Sequence, residues 1–358
     1  MNHETMADLA HVTVKVWDGD SDSTPQEIQP GDTFGGLFFP AGEYAVSDRL
    51  HLKGGSLSNP VKYTGIAATF NSDGSVASAG SVIKDTSTTD HYAFGIGFAG
   101  GPSSYSYMTI QKLTFDGCGI ASLDAPVDNL LITNTFAHNS VADSGSNPEY
   151  HAIIHENHGL ADSDITDNVF RDNMVDTCIL LDQNAGAQAN SVSVSENTFA
   201  NCNHGIHILL HGSAAGQNHD VTVDDNVGVN IADKLIEVQG DTSSNLEVNS
   251  NKVSGFGFRD DSTFALSVVV NGPNVLDTEV AYNEISATRT PDGHSGNTST
   301  DAGPRTSVEV QIGIEVAGRT GHADHVALVH DNIIQGVWAP IVMETSDNMS
   351  IYDNHIWD

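Results

Sequence analysis

Basic residues are scarce in this chain. Lysine and arginine together number 13 among 358 residues, against 47 aspartates and glutamates, so the formal net charge is −34. A phosphate backbone and an anionic membrane both attract basic surfaces and repel acidic ones. The excess of acidic over basic residues therefore excludes nucleic acid as a principal partner, and it also excludes electrostatic docking on anionic membranes.

Aspartate dominates the acids, with 34 residues, and the acids are spread along the whole chain. A dispersed charge of this size destabilises a compact state by self-repulsion unless counter-ions are concentrated. The composition therefore predicts a halophilic source. The alternative is an acidic secreted protein from a mesophile.

Cysteines and long apolar runs are also few. The three cysteines, Cys118, Cys178 and Cys202, are far apart, so they indicate no disulfide framework and are expected to be small buried side chains. No stretch approaches the roughly 18 apolar residues of a membrane span. Met1 to Asp18 does not show the basic stretch followed by an apolar stretch of a secretory signal, so none is expected. Hydrophobic residues still make up 39% of the chain, which predicts a soluble protein with a sizeable core and no membrane insertion.

A short pattern recurs along the sequence, with an aliphatic residue three positions before an asparagine. It is clearest in Leu131-Ile-Thr-Asn134-Thr-Phe136, Ile165-Thr-Asp-Asn168-Val-Phe170 and Val194-Ser-Glu-Asn197-Thr-Phe199. It continues at Asn226, Asn251, Asn283, Asn332 and Asn354, with successive asparagines 22 to 49 residues apart. A unit this short must bury its apolar face against the next unit, so the repeat predicts a solenoid.

A second apolar strand follows the asparagine within each unit. Its copies are Ile153–Glu156, Ile179–Asp182, Ile208–His211, Ile236–Gln239, Val268–Asn271, Ile314–Ala317 and Ile341–Glu344. Because side chains alternate between the faces of a strand, the first and third residues of each copy are expected to line the core, with His155 as the polar exception. An asparagine at the same corner of every coil can donate to one neighbour and accept from the other. The repeat therefore predicts an Asn ladder, whereas leucine-rich and helical repeats lack support because their periods are absent.

The coil pattern resembles the right-handed parallel β-helix proteins related to pectate and pectin lyases, over roughly residues 30–358. The segment Gly35 to Tyr44 is similar to the first strand and turn of that superfamily. The resemblance implies an all-β solenoid of about ten coils, with residues 1–29 as a short N-terminal arm or linker. It leaves function open, because this architecture hosts lyases, hydrolases, epimerases, adhesins and virus tailspikes.

Polar residues follow the second core position of the second strands. In chain order they are Glu156, Asp182, His211, Gln239, Asn271 and Glu344, with Ala317 between the last two. Coils stack about 4.8 Å apart, so these side chains are expected to form one polar stripe, joined by Glu237 and Glu315. Acids and amides suit sugar hydroxyls, and Tyr150, at the end of a long loop, would stack on a sugar ring. The stripe therefore predicts a carbohydrate-binding face.

The stripe also offers a catalytic alternative. Glu156 and Asp182 on adjacent coils would lie about 5 Å apart, as in retaining glycosidases, and acids two coils apart would lie about 10 Å apart, closer to inverting enzymes. His211 would act as an acid or base near neutral pH. However, a chain with 47 acids stacks carboxylates by chance, and the motifs of polygalacturonases and pectate lyases are not convincing. Binding without cleavage is therefore favoured over a glycoside hydrolase or polysaccharide lyase.

No metal site is predicted from the histidines. His151, His155 and His158 are not expected to converge, because His155 would point inward and His158 lies beyond the strand. Aspartate pairs such as Asp224 and Asp225 would suit Ca²⁺ at coil turns, although solvated surface acids are the simpler interpretation. The sequence thus specifies no cofactor, and Ca²⁺ is the one ion it would suit.

The two ends of a solenoid expose strand edges that need covering. Only His355 to Asp358 follow the last asparagine, so either Trp357 folds over the last coil or another chain covers it. The second interpretation is favoured and predicts a homo-oligomer, a trimer or a pentamer. The first 30 residues are expected to dock on other virion proteins. A glycan-binding β-helix without an export signal fits assembly inside a host cell, so the sequence predicts a virion surface protein, a spike, fibre or capsid turret, of a virus of a halophilic archaeon or bacterium. The alternative is an extracellular polysaccharide-degrading enzyme.

Overall fold

The computed structural model of the chain is built from strands and turns. It describes residues 15–17, 35–46, 49–86, 91–97, 105–122, 125–140, 152–173, 175, 177–182, 189–210, 218–256, 264–287, 312–317, 327–337, 339–344 and 349–357. No helix occurs in these ranges, and accordingly none that is long and apolar enough to cross a membrane. The described chain is all-β, as predicted.

Three parallel sheets run the length of the molecule, and each coil contributes one strand to each sheet, except that the last coil has no described strand in sheet 3. Sheet 1 contains Gly36–Phe38, Val61–Thr64, Tyr105–Gln111, Val127–Thr133, Leu160–Thr166, Ala189–Ser195, His219–Asp224, the second halves of Ile236–Asn249 and Phe264–Ala281, Ala327–His330 and Met349–Tyr352. Sheet 2 contains Gly42–Val46, Ser81–Asp85, Thr114–Asp116, Phe136–His138, Val169–Arg171, Thr198–Ala200, Val227–Ile231, Lys252–Phe256, Glu284–Ser286, Ile333–Gln335 and His355–Trp357.

Sheet 3 completes each coil. It contains Leu50–Leu52, Tyr92–Ile96, Gly119–Ser122, Ala152–Glu156, Thr177–Asp182, Ile206–Leu210, the first halves of Ile236–Asn249 and Phe264–Ala281, Ile312–Ala317 and Ala339–Glu344. Two antiparallel pairs supplement the parallel sheets: Lys15–Trp17 pairs with Gly36–Phe38 of sheet 1, and Thr69–Phe70 pairs with Val76–Ser78. The 11 strands of sheet 2 agree with the predicted number of coils, and the architecture is the predicted right-handed parallel β-helix.

Aliphatic and aromatic columns fill the interior. The inward column of sheet 2 consists of Tyr44, Ile83, Phe115, Ala137, Phe170, Phe199, Gly228, Val253, Ile285, Ile334 and Ile356. The rings of Phe170 and Phe199 stack with centroids 5.0 Å apart and planes 5° apart. Each coil therefore covers the apolar face of the next, which is how a short repeat acquires a continuous core.

A continuous asparagine ladder occupies the corner between sheets 1 and 2. Its members share one bonding pattern and are Asn168, Asn197, Asn226, Asn251, Asn283, Asn332 and Asn354. At each step the backbone N–H and the side-chain amide of one asparagine donate to the Oδ1 of the next, at 2.9–3.1 Å. The amide also donates to a carbonyl of the preceding coil, as Asn226 does to Val194 at 2.8 Å. The predicted ladder is confirmed.

Asn134 was placed in this ladder by the sequence pattern, and that placement is wrong. Thr135 holds the ladder position instead, since its N–H and hydroxyl donate to Asn168 Oδ1 at 3.0 and 2.8 Å. The predicted register was wrong by one residue because Leu131 and Ile132 are both aliphatic, so either residue fits the apolar position of the motif.

The residue before each ladder position adopts a left-handed backbone conformation. The φ angles run from 52° to 59° at Lys112, Asn134, Asp167, Glu196, Asp225, Ser250, Tyr282, Asp331 and Asp353. Asn and Asp tolerate this region better than other residues with a side chain, which explains part of the aspartate excess. The same requirement stacks carboxylates along one edge, and repulsion from Asp167 raises the pKa of Glu196, with a smaller contribution from Asp225.

We expect Glu196→Gln to raise the urea midpoint of unfolding at pH 7 in low salt. An acid whose pKa is raised on folding opposes folding while it is ionised, so the gain should shrink as the pH falls through the raised pKa. Molar salt should shrink it too, because it screens exposed charges. The matched control is Glu284→Gln, which removes an acid paired with Lys252 at 3.2 Å. An equal gain in both variants would show that the Glu196 neighbourhood has no special repulsion.

The described part of the N-terminal arm is one strand. Lys15–Trp17 pairs antiparallel with Gly36–Phe38, and most of residues 1–29 lie outside the described ranges. At the other end, Ile351, Tyr352, Ile356 and Trp357 of the last coil are 42–50% exposed. The predicted homo-oligomer over this end stays a prediction.

Candidate functional site

The outward face of sheet 3 carries two parallel rows of side chains. Row A follows one register column: Ala121, His155, Leu180, His207, Glu237, Ser267, Glu315 and Val342. Row B lies two residues further along each strand: Asp182, Leu209, Gln239, Val269, Ala317 and Glu344. Neighbouring members of a row are about 4.8 Å apart, as the strand spacing requires. Five of the predicted residues therefore fall in these two rows: Glu237 and Glu315 in row A, and Asp182, Gln239 and Glu344 in row B.

The predicted neighbourhood of Glu156 and Asp182 is wrong. Glu156 pairs with Leu181, not with Asp182, so it belongs to the inward column and is only 3% exposed. Its Oε1 accepts a hydrogen bond from the His158 backbone N–H at 2.7 Å. The predicted register was wrong by one residue because Ile153 and Ile154 are both aliphatic. In the structure the backbone pairs Ile154 with Ile179, so Ile154 is the core residue.

The same shift turns His155 outward, contrary to the prediction that it points into the core. Its Nδ1 lies 3.0 Å from the hydroxyl of Tyr92, and both side chains are buried. His155 therefore follows Ala121 in row A and takes part in a local hydrogen bond. His151 lies outside the described residues.

Several predicted site residues cannot be placed by their side chains. Tyr150 and His211 lie outside the described residues, and only the backbone of Asn271 and Glu344 is described. In the strand register, Gln239 pairs with Val269 and not with Asn271. The reason is that the strand Phe264–Ala281 begins earlier than the apolar pattern suggests. Glu344 follows Ala317 in row B, as predicted.

A compact polar cluster surrounds Glu237 in the middle of row A. Lys234 Nζ donates to Glu237 Oε1 at 2.8 Å, and Gln239 Nε2 donates to the same oxygen. On the other side, the Nε2 atoms of His204 and His207 each lie 3.9 Å from Glu237 Oε2. Glu237 is 6% exposed and His204 4%. A carboxylate this buried needs compensation by cations and donors, and Lys234 and Gln239 supply it.

A second carboxylate stands two coils further along row A. Glu315 Oε2 accepts a hydrogen bond from the Ser267 hydroxyl at 2.6 Å, and Ser267 separates it from Glu237 in the register. Two coil steps amount to about 10 Å, which is near the upper end of the carboxylate separation in inverting glycosidases. The face is therefore a row of acceptors and donors with two acids at a defined spacing.

Lys234 and His204 were missed as members of this face because both precede their strands. Lys234 stands three residues before Glu237 and reaches over it from the turn. The sequence offered a signal for Lys234, because the chain has only seven lysines.

Of three comparisons with known proteins, the one with solved structures gives matches, and these bear on the architecture. No protein-family model matches the chain, and no curated protein sequence does. The A-module of the mannuronan C-5 epimerase of Azotobacter vinelandii matches with a TM-score of 0.50 and 15% identity over 90% of this chain and 86% of that one. DFA-IIIase from Arthrobacter chlorophenolicus A6 matches with a TM-score of 0.53 and 14% identity over 94% and 85%.

A virus protein has the same architecture. A tailspike mutant of E. coli bacteriophage HK620, in complex with a pentasaccharide, matches with a TM-score of 0.54 and 14% identity over 96% of this chain and 65% of that one. At such identities the likeness concerns the fold alone. The chain is a right-handed parallel β-helix of the architecture that these three proteins share.

Proposed function

We propose that this chain binds a glycan along the outward face of sheet 3. The observation that carries the proposal is the convergence of Glu237, Gln239 and Glu315 on one face at regular coil spacing. A row of carboxylates and amides offers acceptors and donors to successive hydroxyls of an extended sugar chain. The fold supports the proposal because the tailspike that shares it is in complex with a pentasaccharide.

The charge of the face narrows the class of glycan. A protein with a net charge of −34 and acids in the binding row repels a polyuronate or a sulfated polymer. Lys234 does not offset this, since its ammonium group is already bonded to Glu237. We therefore propose a neutral glycan of a host cell surface as the ligand.

Glu315→Gln and Gln239→Ala are expected to weaken binding of a neutral surface polysaccharide about tenfold each, because a hydrogen bond to a charged or well-placed group contributes about 1.5 kcal/mol. The measurement is titration of the purified polysaccharide in molar salt. Glu156→Gln is the matched control, since that side chain faces inward and its substitution should leave affinity unchanged. Binding that is lost equally in the control, or absent in the wild-type protein, would contradict the proposal.

Glycan hydrolysis is a second candidate, favoured by the spacing of Glu237 and Glu315. In an inverting mechanism one acid protonates the leaving oxygen while the other activates water across a gap of roughly 6.5–9.5 Å. Release of new reducing ends by the wild-type protein, reduced at least a hundredfold by Glu315→Gln but only about tenfold by Gln239→Ala, would support this candidate. If the protein binds the glycan but releases no new reducing ends, the result supports the adhesive function instead.

The setting that we propose is the surface of a virus of a halophilic host, as a spike, fibre or turret in a trimer or pentamer. The dispersed acids and the tailspike architecture support it, and an extracellular enzyme is the alternative. Detection of the chain in purified particles, together with the mass of the assembly, distinguishes the two.

A further inference from the structure

We propose that His204, His207 and Glu237 bind one divalent transition-metal ion of the Zn²⁺ type. One donor atom from each of the three residues can be chosen so that all lie within 4.8 Å of one another. Both imidazole Nε2 atoms are 3.9 Å from Glu237 Oε2. The site lies on the proposed glycan face but does not depend on glycan binding.

These distances suit a shared ion better than direct bonds between the three groups. A nitrogen and an oxygen form a hydrogen bond at roughly 2.7–3.2 Å, which is shorter than either Nε2–Oε2 distance. Two ligands of a tetrahedral zinc ion, each about 2.1 Å from the metal, lie about 3.4 Å apart. The two Nε2–Oε2 distances exceed this separation by about half an ångström, and the widest separation among the three donor atoms, up to 4.8 Å, exceeds it by about 1.4 Å. Small side-chain movements would therefore close the three groups around one ion.

The backbone fixes the three residues before any ion arrives. His207 and Glu237 are register partners on adjacent coils of sheet 3. The His204 carbonyl accepts from the Cys178 N–H at 2.9 Å, and Gly205 approaches the next coil so closely that a Cβ there would lie 2.5 Å from the Leu235 carbonyl oxygen. The imidazole rings of His204 and His207 are held nearly parallel, 17° apart, with centroids 5.5 Å apart.

The surrounding hydrogen bonds orient the carboxylate for this role. Lys234 and Gln239 both bond Oε1 of Glu237, which turns Oε2 towards the two imidazoles. Such outer partners fix ligand orientation in metal sites. His204 and Glu237 are buried while His207 is partly exposed, so an ion would be reached from the solvent side.

The donor set selects the class of ion. Two imidazole nitrogens and one carboxylate oxygen suit Zn²⁺ and its transition-metal neighbours, whereas Ca²⁺ and Mg²⁺ prefer oxygen ligands alone. Three protein ligands leave a fourth position for water or for an oxygen of a bound molecule. This site uses none of the aspartate pairs considered for Ca²⁺.

The test is a competition titration of the purified chain with Zn²⁺ alone against a chromogenic chelator that suppresses weak sites on the other histidines. We expect one ion per chain and, after Co²⁺ substitution, the visible absorption of a four-coordinate site. Affinity should fall at least about a hundredfold in His207→Gln and in His204→Gln, because loss of a direct ligand exceeds the roughly 10–100-fold effect of losing an outer partner.

The matched control is His219→Gln, which removes a histidine that lies 3.0 Å from an acid, Asp220, outside the cluster. It should leave Zn²⁺ affinity unchanged. His207 is the safer variant for folding, since its side chain is 21% exposed, and equal thermal unfolding without metal would show that it folds. No tight site in the wild-type chain, or unchanged affinity in both cluster variants, would overturn the proposal.

Discussion

Asn226→Ala is expected to destabilise the β-helix by about 3–5 kcal/mol. The amide accepts from the backbone N–H and Nδ2 of Asn197 at 3.1 and 3.0 Å, and donates to Val194 O and Asn251 Oδ1 at 2.8 and 3.0 Å. Alanine removes these bonds and leaves buried donors unsatisfied, at about 1–3 kcal/mol for each such group. The shift of the urea midpoint at constant slope measures the loss.

Asn134→Gly is the matched control for the ladder. Asn134 fits the sequence motif as well as Asn226 does, yet its side chain bonds only the Thr133 hydroxyl, at 2.9 Å, among the contacts described. Glycine keeps the left-handed backbone, where φ is 53°, so the change should cost less than about 1 kcal/mol. A control as damaging as Asn226→Ala would mean that the motif, and not the ladder bond, determines the cost.

Phe199→Ala should destabilise the fold by about 4 kcal/mol. The ring is fully buried and stacks on Phe170. Gly228 follows it in the same column, and the space beside that glycine is already filled by Leu235. The coils on either side are tied by backbone hydrogen bonds and cannot collapse into the cavity, so the cost should lie near the upper half of the usual range of about 3–5 kcal/mol for phenylalanine.

The control for Phe199 is Phe70→Ala. Phe70 is 39% exposed on the antiparallel hairpin and packs against Phe136 in a T-shaped arrangement, with ring centroids 5.1 Å apart. Its loss should cost about 1 kcal/mol, within the roughly 0.5–1.5 kcal/mol that an aromatic pair contributes beyond buried area. Equal midpoints for the two variants would show that the stacked column contributes nothing beyond surface contacts.

The sequence was sufficient for the architecture because a repeat constrains every coil at once. Because seven asparagines share one bonding pattern, they must all lie at the same corner of successive coils. Two failures occurred where adjacent aliphatic residues competed for one core position, at Leu131 and Ile132 and again at Ile153 and Ile154. A third, at Asn271, arose because the strand Phe264–Ala281 begins earlier than the apolar pattern suggests. The alternation of side chains along a strand does not show which of two adjacent aliphatic residues faces the core. The backbone hydrogen bonds to the next coil determine it.

The candidate site was predicted in part for a related reason. Glu237, Gln239 and Glu315 lie inside strands, where alternation alone fixes their face. Lys234 and His204 enter from turns, and their side chains reach the face only because of the path of the chain before each strand. No periodic pattern predicts that path. The cluster around Glu237 can therefore be identified in the three-dimensional structure but not from the spacing of residues in the sequence.

The asparagine ladder also gives the molecule an electrical direction. Every amide points its N–H end towards the C-terminal neighbour and its oxygen towards the N-terminal one, so the amide dipoles align head to tail and polarise one another. An amide in the middle of the row is strengthened from both sides, whereas one at either extremity is strengthened from one side only. Hydrogen exchange should therefore be slowest at the centre of the row and quicken towards both ends.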